Sequence, residues 1–194
     1  LVPGGKSFLV ADKVHLWDPS NQKYETYALK NTDYQFHLCD ANWETSSSTN
    51  PPLKAGTGFW IESAPGSVAT NKISFMGEVV SVSTSETDVV EGLQMLGYQF
   101  SSDIDLQETD LINDGAVTAA KSPLNADKIH TWDPVAGNFV SYAAWTNGQW
   151  CYVTGSWGVV ATKTLELGEG FWFERNAGAG TLPWDETNKY INNL

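Results

Sequence analysis

The sequence predicts an all-β protein: two tandem β-sandwich or barrel-like repeats with at most one short helix. Three observations carry this. A nine-residue phrase, Ala11-Asp12-Lys13-Val14-His15-Leu16-Trp17-Asp18-Pro19, returns 115 residues later at Ala126–Pro134 with seven of nine positions identical. Self-similarity at a fixed offset marks a duplicated structural unit. Each copy is followed by Gly-x-Gly-Phe-Trp, as Gly56-Thr57-Gly58-Phe59-Trp60 and Gly168-Glu169-Gly170-Phe171-Trp172, at an offset of 112. Short alternating runs rich in Val, Thr and aromatic residues, punctuated by Gly, Asn and Asp, supply the strands and turns.

Taken in order, Pro3-Gly4-Gly5 is a turn, and Phe8-Leu9-Val10 reads as a strand start. Lys13 to Trp17 alternates as a strand, with Val14 and Leu16 on one face and His15 and Trp17 on the other. Asp18-Pro19 ends it, because Asp accepts from the backbone two residues on and Pro presets φ. Tyr24–Leu29, Tyr34–Cys39, the run from Phe59 and Ile73–Val80 complete the first copy, with a surface loop over Glu44–Pro52. Residues 81–92, rich in Ser and Thr, read as a linker, with the Val residues leaving open a strand at its end. In the second copy Leu93–Phe100, Lys128–Trp132, Phe139–Trp145, Gln149–Thr154, Thr162–Leu167, Phe171–Arg175 and Thr181–Trp184 read as strands. Asp105, with Glu108 three residues later, signals a short helix from about Leu106 to Ile112, ended near Gly115. The expected organisation is repeat 1 over 1–80, a linker over 81–92, repeat 2 over 93–184 and a polar tail over 185–194. Repeat 2 has a long opening before its first phrase that repeat 1 lacks. Repeat 1 is therefore expected to be missing that portion or to receive it from a neighbouring molecule, as in strand complementation.

A net charge of −12 repels phosphate backbones and anionic lipids, which argues against nucleic acid and polybasic membrane docking. No apolar run approaches the length of a transmembrane helix. Low charged content (18%), with abundant Ser, Thr, Asn and Gly, suits an extracellular or cell-surface protein. Cys39 and Cys151, one in each copy, either form a disulfide bridging the repeats or remain two buried thiols.

The glycines of Gly-x-Gly-Phe-Trp do not make a phosphate loop, because a strand-like run rather than a helix follows. They are expected to shape a tight approach, with Phe59, Trp60, Phe171 and Trp172 anchoring the cores. Trp17-Asp18-Pro19 and Trp132-Asp133-Pro134 are read likewise as repeat anchors. His15 and His130 occupy equivalent positions and His37 stands alone, a distribution that favours strand histidines over a metal site. The acids Asp103, Asp105, Glu108, Asp110 and Asp114 lack the sixth-position glycine of a calcium loop and read as a capped helix with a solvated face. No cofactor, metal or catalytic residue is assigned. Trp145, Trp150 and Trp184 have no counterpart in the first copy. They either stack on a sugar or partner, or fill a core peculiar to the second copy or the seam between the copies.

With these phrases the chain resembles small secreted bacterial tandem β-repeat proteins in which a hydrophobic-x-Trp-Asp-Pro strand precedes Gly-x-Gly-Phe-Trp. Ile73-Ser74-Phe75-Met76-Gly77-Glu78-Val79 is similar to the ending of their repeat. The resemblance implies export and carries no activity with it. The expectation is a non-catalytic extracellular structural protein, self-assembling into a surface layer, filament or sheath, with copies of itself or other cell-surface components as partners. A carbohydrate-binding module using exposed tryptophans, with polysaccharide as partner, is the alternative.

Overall fold

The computed structural model describes residues 1–43, 45, 50–51, 53–67, 81–113, 117–155 and 157–189. The protein is all-β: its described elements are antiparallel strands, three 3-10 turns and one short α-helix. No helix among the described residues is long and apolar enough to cross a membrane. Two compact units divide the chain, one of Leu1–Lys54 with Phe59–Glu78 and one of Ala55–Gly58 with Val79–Leu194. The expected strand Ile73–Val80, the helix end at Gly115 and the end of the tail lie outside the described residues.

Unit 1 is a four-stranded sheet of β1 (Lys13–Asp18), β2 (Lys23–Leu29), β3 (Phe36–Leu38) and β4 (Phe59–Glu62), ordered β3-β2-β1-β4. The alternation of β1 sets its faces, as period two requires. Val14 and Leu16 pack with Tyr27, Phe36, Leu38 and Phe59 on one side. On the other, Ala28 packs with Ala11 and Trp43. Phe8–Val10 is a 3-10 turn capped by the Ser7 hydroxyl, not a strand start. Ser122 caps Pro123–Asn125 in the same way in the second copy, 115 residues on. Trp43 and Trp157 likewise donate through Nε1 to the carbonyls of Gly5 and Lys121. The duplicated unit thus begins several residues before the Ala-Asp-Lys phrase.

Unit 2 contains β5 (Thr84–Val89), β6 (Gly92–Gly97), β7 (Ile104–Asp105), α1 (Asp110–Asn113), β8 (Lys128–Asp133), β9 (Asn138–Trp145), β10 (Gln149–Tyr152), β11 (Thr164–Leu165), β12 (Gly170–Arg175) and β13 (Leu182–Thr187). A five-stranded sheet, β10-β9-β8-β12-β6, is accompanied by the pairs β11-β7 and β13-β5. The stretch expected to be a linker therefore carries β5. Its polar composition reflects a strand with one wet face: Thr84, Glu86 and Asp88 are exposed, while Val89 is fully buried. The polar tail is corrected in the same way, since Asp185, Glu186 and Thr187 complete β13 against β5. The expected helix is interrupted. Asp105 caps a 3-10 turn over Leu106–Glu108, Thr109 is extended, and α1 follows.

The inner face of the five-stranded sheet carries Leu96, Ile129, Tyr142, Trp150, Phe171 and Phe173, covered by Leu106, Leu111, Ile112, Leu182 and Trp184. Burying large apolar and aromatic side chains of this kind is the main stabilising contribution in such a domain. Trp150 and Trp184 are both 0% exposed, so the reading in which they fill a core peculiar to the second copy is the one realised. Gly56-Thr57-Gly58 belongs to this unit too. Thr57 bridges Leu96, Gly58 N–H donates to the Met95 carbonyl and Gly97 N–H to the Gly56 carbonyl.

Candidate functional site

The outward face of the five-stranded sheet collects the polar residues that the repeats share. Lys128, His130 and Trp132 alternate along β8, Ser141 and Phe139 lie beside them on β9, and Trp172 and Glu174 on β12. His130 Nδ1 is 2.7 Å from Ser141 Oγ and its Nε2 is 3.2 Å from Glu174 Oε2. Lys128 Nζ donates to the other carboxylate oxygen at 2.8 Å. Burial lowers the pKa of His130, with Glu174 opposing the shift. Burial opposes ionisation of Glu174, but the hydrogen bonds and charges of Lys128 and His130 outweigh it and hold that carboxyl below its usual value.

The first copy builds the same ladder with Thr in place of Ser. His15 Nδ1 lies 2.9 Å from Thr26 Oγ1 and Nε2 lies 3.1 Å from Glu62 Oε2, while Lys13 donates to Glu62 Oε1. The Lys13 bond and charge lower the Glu62 pKa against burial. Hydroxyl, imidazole and carboxylate in a row are the parts of a nucleophilic triad. Three features argue for a cross-strand brace instead. The carboxylate is already claimed by an ammonium, and the group recurs at equivalent positions of two sheets. Ser141 also sits mid-strand between β8 and β10, where backbone N–H groups serve the ladder rather than an oxyanion hole.

Other recurring residues fix loops. Asp127, fully buried, accepts from the N–H groups of Thr118 and Asn176 and from Arg175 at 2.8 Å. Asp12 accepts from Val2 and Ala64. Asp18 Oδ1 accepts from the N–H of Ser20 and Asn21, and Asp133 Oδ1 from Val135 and Ala136, so each Asp-Pro pair opens a braced turn. Gly56 and Gly168 both have positive φ, +79° and +80°. Gly58 serves close approach: a Cβ there would meet the Leu96 carbonyl oxygen at 2.7 Å. Of the acids, Asp103 accepts from Leu167 N–H and Asp105 from Gln107 N–H.

The tryptophans are distributed differently from expectation. Trp132, expected to begin a core, is 41% exposed on the outward face and meets Phe139 edge-on at 5.0 Å. Trp17 meets Tyr24 at the same distance in unit 1. Trp60 and Trp172 are half-buried on the histidine side, whereas Phe171 is in the core. Trp145 packs on Trp157, centroids 4.6 Å apart. With Trp150 and Trp184 buried, neither presents a ring to a ligand. Cys39 and Cys151 are free thiols rather than a disulfide, and burial raises the pKa of both, Cys39 to about 11.

Two recesses accompany these faces. One of about 330 Å³ lies in unit 1 against the apolar side of β1 and β4, lined by Val14, Phe36, Leu53, Phe59 and Ile61. Strand register places Val14, Phe36, Phe59 and Ile61 where the second copy has Ile129, Trp150, Phe171 and Phe173. Those four are 2% exposed or less, while Phe36, Phe59 and Ile61 are only half-buried. The other recess, about 300 Å³, adjoins Trp132 and is lined further by Pro134, Lys163, Glu166, Glu169 and Gly170. Comparison of the chain with protein-family models, curated proteins and solved structures gives no match.

Proposed function

We propose that this protein is a non-catalytic structural component of the cell surface or extracellular space that associates with further copies of itself through the apolar side of repeat 1. The observation that carries this is the contrast between equivalent faces. Of the four side chains sealed in repeat 2, the counterparts Phe36, Phe59 and Ile61 in repeat 1 are only half-buried, around a recess of about 330 Å³. An apolar sheet face that the described residues leave partly uncovered favours burial against another apolar surface. The low content of charged side chains and the resemblance to exported β-repeat proteins support an extracellular setting, and the doubled brace, occupied by its own lysine, supports a structural role over catalysis.

Sedimentation equilibrium and electron microscopy of the purified chain test this reading. Association should grow with protein concentration. It should also strengthen with added salt, because copies carrying −12 charges repel until screened. Ile61→Glu, which puts a charge into the recess, should leave the circular dichroism of the folded chain unchanged and abolish assembly. Monomers at all concentrations and salt levels would sink the proposal.

A further inference from the structure

We infer that the recess beside Trp132 in unit 2 is a binding site for a neutral pyranose of a polysaccharide chain. This goes beyond self-association and does not depend on it. Trp132 stands at the end of β8 with 41% of its surface exposed, immediately before the turn braced by Asp133. Phe139 meets it edge-on at 69° and fixes the ring plane. The recess next to it is of the size that small ligands occupy, about 300 Å³. Its polar wall is organised in advance. Lys163 Nζ lies 2.7 Å from Glu169 Oε1, and Glu169 Oε2 accepts from the backbone N–H of Glu166 at 3.0 Å.

These groups match the two sides of a sugar ring. The C–H face of a pyranose packs on an indole, whose π face is electronegative. Its hydroxyls need acceptors and donors together, and the carboxylates of Glu166 and Glu169 with the Lys163 ammonium offer both. Two carboxylates against one ammonium, on a chain of net charge −12, disfavour an acidic sugar or a phosphate.

Duplication separates this site from architecture. The first copy keeps the tryptophan with an aromatic partner, as Trp17 and Tyr24. At the offset of the Gly-x-Gly phrase, however, Pro51, Lys54 and Thr57 stand in place of Lys163, Glu166 and Glu169. The recurring ring belongs to the repeat, and the polar wall is peculiar to the second copy.

Native affinity electrophoresis in gels containing hydroxyethyl cellulose, xylan, laminarin or glucomannan tests the site on the whole chain. At least one polysaccharide should retard the protein. Trp132→Ala should raise the apparent Kd at least tenfold, Lys163→Ala should weaken binding severalfold, and Trp17→Ala should leave it unchanged. Circular dichroism confirms that each variant is folded. No retardation in any gel, retardation that survives Trp132→Ala, or equal loss with Trp17→Ala would overturn the assignment. Binding of tetramethylammonium in place of sugar, with the same Trp132 dependence, would overturn it too and identify a cation site. None of these outcomes alters the sedimentation behaviour that tests self-association.

Discussion

Glu186 offers the sharpest energetic test, because a carboxyl with no solvent exposure sits on β13 between a tryptophan and a helix start. Its Oε2 accepts from Trp184 Nε1 and from the N–H of Asp110, both at 2.8 Å, while Oε1 accepts no hydrogen bond from the described residues and lies 3.6 Å from Lys189 Nζ. Burial dominates these contacts and pushes the pKa up from 4.5 to about 7. A raised carboxyl pKa means that the folded state holds its proton after the unfolded chain has released it. The penalty is absent below pH 4.5, grows as pH rises towards 7 and is constant above. Two and a half units at about 1.4 kcal/mol each give about 3 kcal/mol. Glu186→Gln keeps an acceptor for Trp184 and cannot ionise. The variant should match the parent near pH 4 and exceed it by about 3 kcal/mol at pH 8, or roughly 6–12 °C in Tm at about 2–4 °C per kcal/mol. Thermal melts followed by circular dichroism from pH 4 to 8.5 give this difference, and repulsion from the net charge is nearly common to both chains. A gap between variant and parent that does not change with pH, or one that closes as pH rises, would refute the reasoning.

Gly58→Ala should destabilise by roughly 1–3 kcal/mol, since the new methyl meets backbone at the Leu96 carbonyl and must displace it. Gly168→Ala has open space around its Cβ and should cost only the left-handed backbone term, about 1 kcal/mol; urea melts compare the two. Asp127→Asn leaves the Arg175 guanidinium buried without its counter-charge and should cost about 3–5 kcal/mol in the same assay. Asp12→Asn should cost less, because Ser63 stands where the second copy has Arg175. Thiol titration with a disulfide reagent should find two free thiols in urea and slow reaction in the native chain, and reductant should leave Tm unchanged.

Much of the fold was legible because duplication and period-two alternation act locally. The paired phrases locate β1 and β8, β4 and β12, and the Asp-Pro turns, and alternation puts Val14 with Leu16 on the common face they share in the sheet. Alternation assigns residues to two faces without saying which is covered, however. Size and apolarity suggested that Trp17 and Trp132 point inward. The second layer instead covers the Ile129 side, which leaves Trp132 outside. Trp150 and Trp184 have no tryptophan counterpart in the first copy, and only register shows their places: Trp150 occupies the place of Phe36, and Trp184 arrives on a strand that pairs with β5. That pairing was hidden because β5 is polar at every position but its last, and a wet-faced strand has the composition of a linker. The cross-strand brace was hidden for a different reason. Glu62 and Glu174 follow the Gly-x-Gly-Phe-Trp phrases at the same spacing, a recurrence visible in the sequence, but only the sheet register brings them to His15 and His130.

Duplication also supplies a criterion for where function resides. Two sheets that diverge from one ancestor retain what both need to fold, and Lys-His-Glu with a hydroxyl partner, the buried Asp and the Asp-Pro turn all recur. A complete catalytic or binding site, as opposed to a single shared ring, has no reason to be kept at the same strand positions in both, since one copy suffices. The informative residues are those where the copies part: an apolar face sealed in one and half-open in the other, and a polar wall beside Trp132 that the first copy replaces with Pro51, Lys54 and Thr57. Substituting across the copies turns the criterion into a measurement. Exchanging Lys163 and Glu169 for the first copy's Pro and Thr should leave folding largely intact and remove glycan retention. Exchanging Glu174 for Gln should instead destabilise the sheet, because Lys128 and His130 lose their shared carboxylate. If the Glu174 variant were as stable as its parent, the brace would not be architecture, and its hydroxyl, imidazole and carboxylate would have to be reconsidered as chemistry.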